Sequence, residues 1–270
     1  GPRILAAGCA LSPSGGHGDD THGYREDLFD LPGPAEGIAD GSDSCRKAVR
    51  LQVKRGADVI KLTATGGVLS RTNAGTSQQF FDDELEAIVR TAHRLGRRVA
   101  AHAHGADGIK AALRAGVDSI EHGSFLDEEA VQLFKETGAY LVPTLLAGQT
   151  VVEMAKIEGY FPPAIRAKAL NVGPVMLGAM AMAHRSGVRI AFGTDSGVSR
   201  HGDNWRELVL MEEAGIPPMD CLVSATLSAA DLCGLGEELG SLEMGKTADV
   251  IAIDGNPLEG MACMANVVYV

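Results

Sequence analysis

The stretch Val99-Ala100-Ala101-His102-Ala103-His104-Gly105, followed by the amphipathic Ile109 to Ala115 and then by Ser119-Ile120-Glu121-His122-Gly123, decides the fold. Each flanking segment is a short apolar run closing on histidine and glycine. The segment between them spaces its apolar residues as a helix does, so the unit reads strand, helix, strand. The cycle repeats on both sides. Upstream, Val59-Ile60-Lys61-Leu62 reads as a strand and Gly66-Gly67 opens a long polar loop. Asp82 or Asp83 is placed to cap the next helix, whose Leu85, Ile88, Val89, Ala92 and Leu95 share a face before Gly96 ends it. Downstream, Glu128 to Thr137 reads as helix and Tyr140-Leu141-Val142-Pro143 as strand. An insertion with Pro162-Pro163 precedes a helix over Val175 to Ser186, and Arg189-Ile190-Ala191-Phe192-Gly193-Thr194-Asp195 reads as a further strand. Helices over Trp205 to Ala214 and Asp220 to Cys233 follow.

Such alternation predicts a parallel sheet covered by helices. With Ile4-Leu5-Ala6-Ala7-Gly8 as an opening strand the count is about six rather than eight, so the expected fold class is α/β, an incomplete (β/α)8 TIM barrel over residues 1–245. After Gly245 the pattern changes. Ala248 to Asp254 and Val267 to Val270 read as strands separated by the turn Gly255-Asn256-Pro257, and residues 246–270 are expected to be part of a small β-sandwich.

A chain of 270 residues with 45% hydrophobic content can bury a large aliphatic core. The 35 acidic residues against 24 basic give a net charge of -11, which argues against nucleic acid or an anionic membrane as partner. No apolar run reaches the roughly 18 to 20 residues a spanning helix needs. Five cysteines without a CxxC pair suit a reducing compartment, and a cytoplasmic location is expected unless a signal peptide has been lost upstream. A homo-oligomer acting on a small molecule or dipeptide is the expected assembly.

The chemistry-bearing residues share one kind of position. Lys61, His102, His122 and Asp195 each stand at or near the C-terminal end of an expected strand, where parallel barrels place their active sites. His102 and His122 would point into the same barrel mouth, and imidazoles there suit Zn²⁺ or a similar divalent ion. His104 could complete a metal dyad with His102, but its place in the turn before Gly105 favours lining the pocket. Among the other histidines, His93 and His184 read as structural, and His22 and His201 as solvated. Lys61, inside an apolar strand, has two readings: a buried ammonium paired with a carboxylate, or a neutral amine that adds CO₂ and becomes an anionic carbamate ligand. Asp195 could cap a helix, or bind metal and shuttle a proton.

The segments Ile60-Lys61-Leu62-Thr63-Ala64-Thr65-Gly66-Gly67-Val68, Ala101-His102-Ala103-His104-Gly105, Ile120-Glu121-His122-Gly123 and Gly193-Thr194-Asp195, taken in this order, resemble the amidohydrolase superfamily. The likeness is to its prolidase-like branch of Xaa-Pro dipeptidases, lysine/arginine carboxypeptidases and ochratoxinase. Ser14-Gly15-Gly16-His17-Gly18-Asp19 and Thr247-Ala248-Asp249-Val250 support it. The resemblance implies two divalent metals in the complete enzyme, bridged by the carboxylated Lys61, with His102 and His122 on one metal and Asp195 on the other. It implies hydrolysis of the amide bond of a dipeptide or N-acyl amino acid by a metal-bridged hydroxide, with Asp195 as the catalytic proton carrier. His17, His104 and Tyr140 are the expected substrate-binding residues. The His-x-His pair that the family places before the lysine has no counterpart here, so the first two barrel strands are expected to be missing and this chain alone to be nearly inactive. Two other readings stay open: a cyclic amide or amidine hydrolase or deaminase of the same superfamily, and a non-catalytic fragment with one metal half-site.

Overall fold

The computed structural model describes residues 2–25, 27–28, 30–70 and 75–270, so part of the polar loop expected after Gly66-Gly67 lies outside the described residues. Five parallel strands pair in sequential order: β1 (Val59–Thr63), β2 (Arg98–Ala103), β3 (Ser119–His122), β4 (Tyr140–Val142) and β5 (Arg189–Ile190). Helices connect them: α1 (Ser42–Lys54) precedes β1, then α2 (Asp82–Arg94), α3 (Ala106–Ala115) and α4 (Glu128–Thr137) follow β1, β2 and β3 in turn. Both α5 (Leu145–Lys156) and α6 (Pro163–Arg185) lie between β4 and β5, and α7 (Trp205–Glu213), α8 (Pro218–Val223) and α9 (Ala229–Leu232) come after β5. This is an open section of a (β/α)8 barrel.

The register explains which side chains reach the barrel interior. Lys61 pairs with Ala100, Ala100 with Ser119, Ser119 with Tyr140 and Tyr140 with Arg189, while Thr63 pairs with His102, His102 with Glu121 and Glu121 with Val142. Paired residues of a parallel sheet share a face, so these form two successive layers on one side. The alternate residues Ile60, Leu62, Val99, Ala101, Ile120 and Leu141 face the helices and are almost fully buried. Burying each of the larger ones contributes about 1.5 to 3 kcal/mol. Each helix ends where its sequence stops it: α3 and α4 close on Gly116 and Gly138, both left-handed.

Several expectations change. Ile4 to Gly8 forms no strand: Gly8 turns the chain at φ 69°, and Leu11 instead makes a single parallel bridge to Leu62. The strand expected to run to Asp195 stops at Ile190, because the Phe192 N–H leaves the ladder and donates to Ser224 O at 3.0 Å. Neither Asp82 nor Asp83 caps α2. The cap position is Phe81, whose N–H donates to Glu84 at 2.8 Å. The helix expected over Asp220 to Cys233 is interrupted by a π-turn at Ser224–Ser228. The C-terminal strands are shorter than expected: β6 (Ala252–Ile253) pairs antiparallel with β7 (Val267–Tyr269). Among the described residues, no helix is long and apolar enough to cross a membrane.

Candidate metal centre

Three histidines gather at the C-terminal ends of β2 and β3. His102 is the penultimate residue of β2, His104 lies just beyond it and His122 ends β3, and one ligand atom from each lies within 4.8 Å of the others. The ring of His17 stacks on that of His102 with centroids 4.3 Å apart. Gly67 makes this possible, since a Cβ there would stand 2.3 Å from the His17 ring. His17 Nδ1 is buried with no hydrogen-bond partner, an open acceptor or donor aimed into a crowded polar site.

Burial sets the protonation of the group. It pushes the pKa of His102 and His122 well below the usual imidazole value, with neighbouring histidines adding to the effect, and that of His104 down to about 3. All three are therefore neutral at physiological pH and keep a lone pair for a cation. One nitrogen of each of two rings is already oriented: His104 Nδ1 is 2.7 Å from Ser124 Oγ, and His122 Nδ1 is 2.6 Å from Thr144 Oγ1.

Lys61 points into the barrel interior and its amine donates to Glu121, which also accepts from Ser119 Oγ at 2.7 Å. Of the two readings of Lys61, the ion pair is the one present here. Asp195 lies five residues beyond β5 in a turn held by Asn204, whose amide reaches Ser196 Oγ at 3.1 Å and Thr194 Oγ1 at 3.3 Å. Burial raises the pKa of Asp195, opposed by the nearby Lys61 charge and reinforced by Glu121. His122, Thr144 and Asp195 have φ of 72°, 51° and 53°, and among the described residues they are the only non-glycine positions with positive φ. Strain of this kind collects at functional sites.

Two cavities meet at these residues. A polar chamber of about 270 Å³ is lined by Lys61, Thr63, Glu121 and Thr144 among others. An apolar chamber of about 110 Å³ is walled by α5 and α6 through Val151, Val172 and Met176, and by Val68 and Val198. His17, His102, His122 and Asp195 line both. The structure thus brings Lys61, His102, His122, Asp195, His17 and His104 together.

Tyr140 does not belong with them. It stands at the start of β4 and lines neither chamber: its hydroxyl donates to Asp231 and Arg189 covers its ring at 4.0 Å. Glu121, Thr144 and Glu207 were not singled out from sequence. For Glu121 a signal existed, because strand alternation places it on the same face as Ser119 and, through the register, on the face of Lys61.

A parallel α/β barrel with buried neutral histidines, a lysine and an aspartate converging at its strand ends defines a metal-site protein of the hydrolase-barrel class. The whole chain, residues 1–270, matches the amidohydrolase family, a family of metal-dependent hydrolases, and belongs to it. It is 39% identical over 275 residues to ochratoxinase of Aspergillus niger, covering 96% of this chain and 56% of that protein. It superposes on a crystal structure of a Xaa-Pro dipeptidase with bound methionine in the active site with a TM-score of 0.96 at 49% identity, covering 99% of this chain and 66% of the other. A prolidase complexed with N-methylphosphonate-L-proline gives a TM-score of 0.85 at 33% identity, with 99% and 67% covered. The chain therefore spans little more than half of the ochratoxinase and about two thirds of the dipeptidase.

The residues fit a divalent cation. The orphaned Nδ1 of His17 and the neutral rings of His102 and His122 are donors in need of an acceptor, and Asp195 adds a carboxylate. Lys61 fits only if its ammonium leaves Glu121 and loses its charge, since an ammonium has no lone pair to donate.

Proposed function

We propose that this chain carries the site of a metal-dependent hydrolase cleaving the amide bond of a dipeptide or N-acyl amino acid. The observation that carries the reading is the convergence of Lys61, His102, His122 and Asp195, from four different strands or strand ends, on one cavity. The family membership and the amide-cleaving relatives support it. In this reading His102, His122, Asp195 and an N-carboxylated Lys61 hold the cation, zinc by ligand chemistry. A divalent cation bound there supplies Lewis-acid polarisation of an amide carbonyl and makes water more acidic.

The chain's own groups supply the rest. Asp195, with its carboxyl made more basic by burial, takes the proton of the attacking water and passes it to the leaving amine. His17, which lines both chambers, and His104, which lines the apolar one, orient the polar end of the substrate. The apolar chamber takes the side chain. At about 110 Å³ it accommodates an aliphatic or thioether group, of the kind carried by the methionine bound in the dipeptidase relative.

The test is hydrolysis of N-acyl-methionine and of methionine-containing dipeptides by the zinc-loaded full-length protein and its Asp195→Asn variant. The expected result is zinc-dependent cleavage, with kcat lowered by about 10²-fold or more in Asp195→Asn. Turnover in that variant equal to wild type removes Asp195 from the chemistry, and no amide cleavage by the zinc-loaded protein removes the function.

A further inference from the structure

Helix α5 begins at the metal centre, and its capping is unusual. Threonine at the position before a helix commonly accepts a hydrogen bond from the first-turn N–H groups. Thr144 occupies that position and makes no such bond. Its hydroxyl is instead 2.6 Å from Nδ1 of His122, and its backbone is left-handed at φ 51°, a conformation disfavoured for a β-branched residue. The free N–H groups of α5 are met from another element. Glu207 of α7, with no exposed surface, accepts from Leu145 N–H at 2.8 Å through one carboxyl oxygen and from Leu146 N–H at 2.7 Å through the other. Among the described contacts, these two N–H groups are the only hydrogen-bond partners of its carboxyl group.

We propose that Glu207 is a positioning residue for the metal centre: by capping α5 in place of Thr144, it frees the Thr144 hydroxyl to fix the ring of His122. The inference rests on the reading of His122 as a metal ligand. With Nδ1–H donating to Thr144 Oγ1, the lone pair of the ring sits on Nε2, the nitrogen left to face a cation. Thr144 then acts directly on His122 and Glu207 acts at one remove, by holding the backbone turn on which the threonine is carried. A threonine that had to cap its own helix would rotate its hydroxyl toward the α5 N–H groups and release the imidazole.

The experiment compares Thr144→Val, Glu207→Gln and a control, Glu84→Gln, in the full-length protein. Glu84 is also a buried carboxylate that accepts backbone N–H groups, from Gly41 and Phe81, but it leads to no histidine. Three readouts are taken: the thermal midpoint, the ¹⁵N shifts of the His122 ring in metal-free protein, and zinc affinity by calorimetry. In Thr144→Val the midpoint stays within a few degrees of wild type, because no cap is lost, while the His122 ring becomes a mixture of tautomers and zinc affinity falls about 10-fold or more. Glu207→Gln, with a single acceptor oxygen, leaves one α5 N–H unmet and shifts the His122 ring in the same sense. Glu84→Gln lowers the midpoint alone.

A folded Glu207→Gln protein with wild-type His122 shifts and zinc affinity overturns the proposal. So does a Thr144→Val protein that loses stability as an uncapped helix would and leaves His122 unchanged, which decides the matter even if Glu207→Gln fails to fold. Wild-type protein that binds no zinc, with His122 still responding to both variants, leaves the positioning role standing and removes the metal reading instead.

Discussion

His122, Thr144 and Asp195 each hold a left-handed backbone and all three line the polar chamber. Such conformations cost about 1 to 3 kcal/mol each and persist only where surroundings over-determine them. Glu207 is one of the groups that does so, and its own titration gives a test. Burial raises its pKa to about 8 from the ordinary 4.5, against the two N–H bonds that lower it. The folded state therefore holds a proton that the unfolded chain has released, so this residue's contribution is fully present below about pH 4.5 and is lost as pH rises toward 8. Relative to Glu207→Gln, wild-type stability should fall by up to about 1.4 kcal/mol per pH unit across that window. Urea midpoints of the two proteins at pH 5, 6 and 7 measure it. A wild type that gains on the glutamine variant as pH rises would mean that the N–H pair holds the carboxylate ionised.

At this scale the sequence is informative wherever chemistry interrupts hydrophobicity. Lys61, His102 and His122 stand out because a charged or imidazole side chain within an apolar strand needs a reason. Tyr140 shares its layer with Lys61, and what separates the two is that its hydroxyl is engaged by Asp231 and its ring by Arg189, partners no local pattern announces. The positive φ values were not readable at all. The helix that Thr144 opens has its N–H groups met by a carboxylate 62 residues away from Leu145 in the chain, and no local pattern announces it.

Among the elements, α5 and α6 form the wall of the apolar chamber, and they approach so closely that glycine is required at the crossing. A Cβ on Gly173 would lie 2.2 Å from Val152 Cγ2 and 3.0 Å from Gly148 O, and one on Gly148 would lie 2.4 Å from Met176 Sδ. Alanine in place of helical glycine ordinarily gains about 1 kcal/mol. Here the overpacking cost of about 1 to 3 kcal/mol outweighs the gain, because a β-branched side chain and a backbone carbonyl must both give way. Gly173→Ala should therefore lower the thermal midpoint and, by moving α6, raise KM for substrates with apolar side chains more than it lowers kcat. A raised midpoint with unchanged KM would show that the helices are free to separate.

The elements with clean periodicity were legible from sequence: α4 spans the residues its pattern marks, and β1 to β3 fall where apolar runs meet glycine. Helix α5 was not. It is apolar on most sides because α6 and α7 cover it, so it shows no clean amphipathic period and falls within the insertion expected before Pro162-Pro163. Helix α6 was truncated by the reading because Pro174 looks like a boundary, yet the helix runs through it. The end of β5 was also hidden, since Ala191 and Phe192 remain apolar after the ladder has turned away.

For the whole molecule, the polar and apolar chambers meet at four side chains whose positions come from strands β2 and β3, the turn after β5 and the segment around His17. This gives a division between chemistry and recognition: reacting groups on one side, the substrate side chain on the other. Lys61 links the two states of the site. It is paired with Glu121 here, and the proposed hydrolase needs it as an anionic ligand. Crystals of the full-length protein grown with zinc and bicarbonate, with anomalous diffraction collected at the zinc edge, decide between the two. The expected result is an anomalous peak bounded by Lys61, His102, His122 and Asp195, with carboxylate density on Lys61 Nζ and Glu121 released from it. Zinc bound elsewhere, with Lys61 unmodified and still paired with Glu121 in protein that hydrolyses amides, would contradict it.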